Sequence, residues 1–118
     1  MKDFRTLMVW QKSHRLTLDL YKETYNFPKE EMYGVTSQLR RAISSIPTNL
    51  AEGCGRGSDK DFSRFVQIAM GSASEAEYLI LLCGDLNYIS KENSEKHIES
   101  LNEIKKMLVA LIKTLNRN

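Results

Sequence analysis

The sequence predicts an all-α fold, an antiparallel up-down-up-down four-helix bundle, and three observations carry the prediction. Apolar residues recur at helical spacing in four separate segments. Strand signals are nearly absent: there is no Asn-Gly turn, Val and Thr are few, and no stretch alternates for long. The connections are short, roughly 3–8 residues, which makes consecutive helices antiparallel neighbours. A chain of 118 residues with 42% hydrophobic residues is one domain's worth, 1–118, with enough apolar surface for one core.

The first helix is expected over about 6–25, with Leu7, Trp10, His14, Leu18, Tyr21 and Tyr25 on one stripe. Pro28 ends it by pushing Phe27 out of the helical region. The second is expected over about 32–53, with Val35, Leu39, Ala42, Ile43, Ile46 and Leu50 inward. Gly53 and Gly55 are expected to supply the positive φ that stops it. Pro47 lies inside this helix, leaves the Ile43 carbonyl without its N–H, and should kink the helix there.

The third helix is expected over about 58–87, opened by a capping box from Ser58 to Asp61. Phe62, Phe65, Ala69, Ser72, Ala76, Leu79, Ile80 and Cys83 form its core face. Met70, Tyr78, Leu81 and Leu82 lie on other sides, so this helix has more apolar surface than one bundle covers. A second subunit is the expected cover, which makes these four residues the expected oligomer interface. The fourth helix, about 91–116, carries His97, Leu101, Ile104, Leu108, Leu111, Ile112 and Leu115.

The chemistry of catalysis is sought and not found. His14 and His97 fall near opposite ends of an antiparallel bundle and cannot share a metal, and no Glu-x-x-His pair is present. Cys54 and Cys83 are likewise too far apart along the bundle for a disulfide. Gly53-Cys54-Gly55-Arg56-Gly57 lacks the Lys-Ser/Thr of a phosphate-binding loop, and Asp59 and Asp61 would repel a phosphate there. No catalytic residue, metal or cofactor is therefore expected, and the protein is read as not an enzyme. The longest apolar run, Tyr78 to Gly84, is far short of the ~20 residues that span a bilayer. The opening residues Met1 to Arg5 lack a signal-peptide apolar region. A cytoplasmic protein without membrane contact is expected.

The net charge is +2, weak evidence for any partner, but its distribution says more. Residues 58–89 carry an acidic excess, and residues 34–57, with Arg40, Arg41 and Arg56, a basic one. On the fourth helix Lys106, Lys113 and Arg117 share an arc. Such arcs are either solvated faces laced by ion pairs or, repeated around an oligomer, a polyanion-binding surface.

The stretch FPKEEMYGVTSQLRRAISSIPTNLAEGCGRG from Phe27 to Gly57 is followed by FSRFVQIAMGSASEAEYLI and by Leu86-Asn87-Tyr88-Ile89. With Val9-Trp10-Gln11-Lys12 at the start, these blocks resemble the four-helix bundle family of 23S ribosomal RNA intervening-sequence proteins. The resemblance implies a bacterial protein, an antiparallel four-helix bundle and assembly as a homopentamer. It also implies kinship with the accessory protein of diversity-generating retroelements, which binds a reverse transcriptase and associates with nucleic acid.

Together these readings lead to a non-catalytic homo-oligomer that binds nucleic acid, structured RNA first, or DNA. Arg40, Arg41, Arg56, Lys106, Lys113 and Arg117 are the candidate contacts. The alternative is a protein-interaction scaffold for a nucleic-acid enzyme such as a reverse transcriptase.

Overall fold

The structure is a computed structural model that describes residues 3–117; Met1, Lys2 and Asn118, at the ends of the expected domain, lie outside them. Four α-helices follow one another: α1 (Met8–Thr24), α2 (Val35–Cys54), α3 (Asp59–Asp85) and α4 (Lys91–Leu115). Short 3-10 turns cover Phe4–Thr6 and Lys29–Glu31, and the described residues contain no strand. Each helix packs on its chain neighbours, and α4 closes on α1. The backbones of α1 and α3 do not approach within 8 Å, so they stand diagonally across a bundle of 47 × 23 × 20 Å.

The helix ends follow local chemistry. Ser58 Oγ accepts the Asp61 N–H at 3.1 Å and Ser90 Oγ accepts the Asn93 N–H at 3.1 Å, which opens α3 and α4. The helix α2 begins at Val35 rather than Met32, because the chain first makes the 3-10 turn and then breaks at Gly34. Glu31 caps the new start by accepting the Val35 N–H at 3.3 Å. The expected positive φ at Gly53 and Gly55 is not there. Gly55 has φ −81°, and no described glycine has a positive φ. Gly53 serves packing instead: a Cβ on it would lie 2.7 Å from Phe62 Cδ1 and 3.0 Å from Phe65 Cβ. The left-handed residue is Asn87 (φ 64°), after α3. There the Tyr88 N–H reaches the Cys83 carbonyl at 2.9 Å and the Asn87 N–H the Gly84 carbonyl at 3.1 Å, a Schellman closure.

The core runs the length of the bundle. Leu20, Leu39, Ile43, Ile46, Leu50, Val66, Ile80, Leu101, Ile104 and Leu108 are fully enclosed. The stripe expected on α1 is corrected by about a third of a turn. The buried residues are Val9, Ser13, Leu16, Thr17, Leu20 and Thr24, whereas His14, Leu18, Tyr21 and Tyr25 are exposed and Trp10 is half-buried. Aliphatic side chains outcompete amphipathic ones for the dry side, since His and Tyr would each bury a polar atom. The hydroxyls of the buried stripe are satisfied by helix carbonyls: Ser13 on Trp10 at 3.1 Å, Thr24 on Tyr21 at 3.1 Å and Thr17 on Ser13 at 2.8 Å.

Thr17 does more than that. Its hydroxyl also lies 3.3 Å from the Ile43 carbonyl, the group that Pro47 leaves without an N–H. The helix α2 continues through Pro47 to Cys54, with its missing internal bond answered from α1.

Candidate nucleic-acid interface

The six basic residues expected to meet nucleic acid divide into two groups. Arg40 and Arg41 lie in the first half of α2, and Arg56 follows its end, so roughly 24 Å of helix rise separates them. Lys113 and Arg117 belong to the end of α4, which shares an open cavity of about 330 Å³ with Gly53, Arg56 and Ser58. Lys106 is exposed nearer the middle of α4. One continuous patch does not form.

The Arg56 end is electrostatically poor for an anion. Arg56 lies 3.8 Å from the Glu52 carboxylate, and its guanidinium rests 4.7 Å above the Phe65 ring. Asp59 lines the same cavity.

The Arg40 end differs. Arg40 Nε donates to Thr24 Oγ1 at 2.8 Å, and its guanidinium lies 4.9 Å above the Tyr21 ring. These two contacts hold the side chain across the groove between α1 and α2, with its outer N–H groups free of hydrogen bonds to the described residues. Arg41, one residue on, is exposed, and neither arginine is in an ion pair among the described residues. Around them lies an open cleft of about 660 Å³ whose walls include Tyr21, Tyr33, Thr36 and Ser37. Tyr33 is 97% exposed and Tyr25 82% exposed beside it.

The cleft is held from behind. Glu31 accepts the Tyr88 phenol at 3.0 Å while it caps α2, tying the start of α2 to the end of α3. The Glu31 carboxylate keeps the Tyr88 phenol above its ordinary range, chiefly by accepting its proton in a hydrogen bond. Across α1 and α4, His97 Nε2 meets Glu23 Oε1 at 2.8 Å and Lys12 meets Glu103 at 2.7 Å. Lys105 pairs with Glu77 between α3 and α4. The Lys12 ammonium holds the Glu103 carboxyl below its usual range.

Nucleophile and metal chemistry have little to work with. Burial pushes the Cys83 thiol up to about 11, away from the reactive thiolate. His14 stacks flat on Trp10 at the surface, 4.8 Å between centroids, and His97 is a bundle strut. Among the described residues no three His, Cys, Asp or Glu side chains converge. None of the helices is long and apolar enough to cross a membrane.

The four expected interface residues also separate. Tyr78 (59%) and Leu81 (51%) are exposed on the outer face of α3. Met70 and Leu82 are half-buried and pack on the core.

Residues 5–110 match the family model described as 23S rRNA-intervening sequence protein. The chain belongs to the 23S rRNA-intervening sequence protein family. That match bears out the resemblance of the Phe27 to Gly57 block and the all-α bundle it implied. A solved structure similar to this member is a crystal structure of a protein with unknown function from the S23 ribosomal protein family of Bacteroides thetaiotaomicron. The two share 29% identity with a TM-score of 0.80, over 90% of this chain and 99% of the other. No curated protein matches the chain.

The residues that sequence reasoning missed are aromatic. Tyr21 and Tyr25 are expected on one stripe of the first helix and Tyr33 has no expected role, yet Tyr21 and Tyr33 line the cleft with Arg40 and Arg41, and Tyr25 lines a neighbouring one with Tyr21 and Arg40. The sequence carries no deciding signal: α1 offers two stripes, and the buried one itself includes the hydroxyls of Ser13, Thr17 and Thr24.

Proposed function

We propose that this family member is a non-catalytic, cytoplasmic homo-oligomer that binds nucleic acid, structured RNA in particular, through basic surfaces repeated by the assembly. The observation that carries the reading is the pair Arg40 and Arg41, both outside any ion pair among the described residues, on the rim of an open cleft. Phosphate neutralisation is the chemistry such side chains offer, and repetition around an oligomer multiplies a weak single-site affinity. Lys106, Lys113 and Arg117 form a second, smaller group that can follow the same backbone; Arg56, engaged by Glu52 and Phe65, contributes least.

Assembly is supported by the outer face of α3. Tyr78 and Leu81 place apolar surface in water there, and a Cβ at Gly71 would meet nothing within 4 Å, so a neighbouring helix has room to approach closely. The face lies diagonally across from α1, so that contact does not itself cover the cleft between α1 and α2. A pentamer is the size that the family resemblance implies.

The test is binding of 23S ribosomal RNA fragments at low and moderate salt, with light scattering on the same protein. Binding that falls steeply as salt rises supports the reading. Absence of binding at low salt by an intact oligomer overturns it.

A further inference from the structure

The cleft between α1 and α2 holds more than charge, and phosphate neutralisation leaves its aromatic walls unexplained. Tyr33 stands almost wholly in water at the turn before α2, where it serves neither core nor cap. Tyr21 carries the Arg40 guanidinium on its face, and a guanidinium so mounted is itself a flat platform. Ser37, half-buried beside Thr36 on the wall of the same cleft, offers a hydroxyl there. The cleft volume of about 660 Å³ falls within the roughly 300–1,000 Å³ of pockets that hold small organic groups.

Aromatic walls, a mounted guanidinium, a hydroxyl and a cation outside any ion pair among the described residues match the chemistry of a nucleobase joined to a sugar phosphate. A duplex offers only phosphate and groove edges, because its bases are stacked on one another. We propose that this cleft takes an unpaired nucleotide of the bound RNA, from a loop, bulge or end. The base lies against Tyr33 and the Arg40–Tyr21 stack, the phosphate meets Arg41, and Ser37 supplies a hydroxyl to the sugar phosphate. The inference rests on the nucleic-acid reading above and narrows it from a charged surface to a site for single-stranded nucleotides.

Fluorescence anisotropy on the assembled protein separates the two claims, with a labelled oligouridylate single strand and a blunt RNA duplex of equal length as probes. The single strand is expected to bind more tightly than the duplex. Tyr33→Leu, a change at a surface position, is expected to lower single-strand affinity about tenfold, as loss of one stacked base does, and to leave the duplex unchanged. Arg41→Gln is expected to weaken both probes and to reduce the salt slope by about one. Equal binding of the two probes, or single-strand affinity within twofold of wild type for Tyr33→Leu, overturns the nucleotide site and leaves phosphate-driven binding standing. Failure of both probes to bind at low salt removes both.

Discussion

Pro47 offers the sharpest test of how this bundle is held together. It deletes the N–H that would satisfy the Ile43 carbonyl, and the Thr17 hydroxyl, 3.3 Å away on α1, is the replacement donor. Thr17→Val keeps the branched shape and removes the hydrogen. A buried carbonyl left without a partner costs about 1–3 kcal/mol, and this bond is long and shared with the Ser13 carbonyl at 2.8 Å. The expected loss is therefore about 1–1.5 kcal/mol. In a Pro47→Ala background residue 47 regains its N–H, the Ile43 carbonyl is satisfied within α2, and the same Thr17→Val change should cost under about 0.5 kcal/mol. The double-mutant cycle thus predicts a coupling near 1 kcal/mol, above the roughly 0.3–0.5 kcal/mol within which independent sites add. Thr17→Ser, which keeps the hydroxyl and loses a methyl, should cost the same in both backgrounds. Urea unfolding followed by circular dichroism, at one fixed protomer concentration, measures all three. Equal cost of Thr17→Val with and without Pro47 refutes the replacement-donor explanation.

Four further outcomes are expected. Gly53→Ala should destabilise by about 1–3 kcal/mol despite better helix propensity, because its Cβ meets the buried Phe62 and Phe65 side chains, whereas Gly71→Ala, whose Cβ meets nothing within the protomer and is small enough for the proposed subunit contact, should change stability by less than about 1 kcal/mol; thermal melts decide both. Under the proposed assembly, in which the exposed Leu81 is covered by a second subunit, Leu81→Glu should yield monomers or aggregates with helical content retained, read by light scattering with circular dichroism, because burying an unpaired carboxylate at each contact costs several kcal/mol. Asn87→Gly should raise the melting temperature by relieving the left-handed backbone, worth about 1 kcal/mol, and Asn87→Ala should not. The Tyr88 phenol is raised in the folded protein, so its bond to Glu31 contributes stability that is fully present below the ordinary tyrosine pKa of about 10 and fades as pH rises through the folded value. Tyr88→Phe should therefore lower stability at neutral pH, with the deficit closing above pH 10 in a pH series of melts.

The sequence by itself determined the number, order and approximate length of the helices. Helical periodicity, the cap at Ser58, and the breaks around Pro28 and Gly55 are local properties, and local physics decides them. The inward set of α2 was legible for the same reason: Val35, Leu39, Ala42, Ile43, Ile46 and Leu50 are aliphatic at one spacing with no rival stripe. The helix α1 was not, because it carries two stripes. Its aliphatic one includes Ser13, Thr17 and Thr24, whose burial is affordable only through carbonyls on their own helix and on α2. Tertiary structure alone decided that choice, and with it the site. Once Val9, Leu16 and Leu20 turn inward, Tyr21 and Tyr25 turn out toward the start of α2, where Thr24 and the Tyr21 ring hold Arg40. Arg40 and Arg41 were legible as charge. Their separation from Arg56 and α4, and their meeting with aromatic rings, depend on which residues approach across helices, and spacing within a single helix does not encode that.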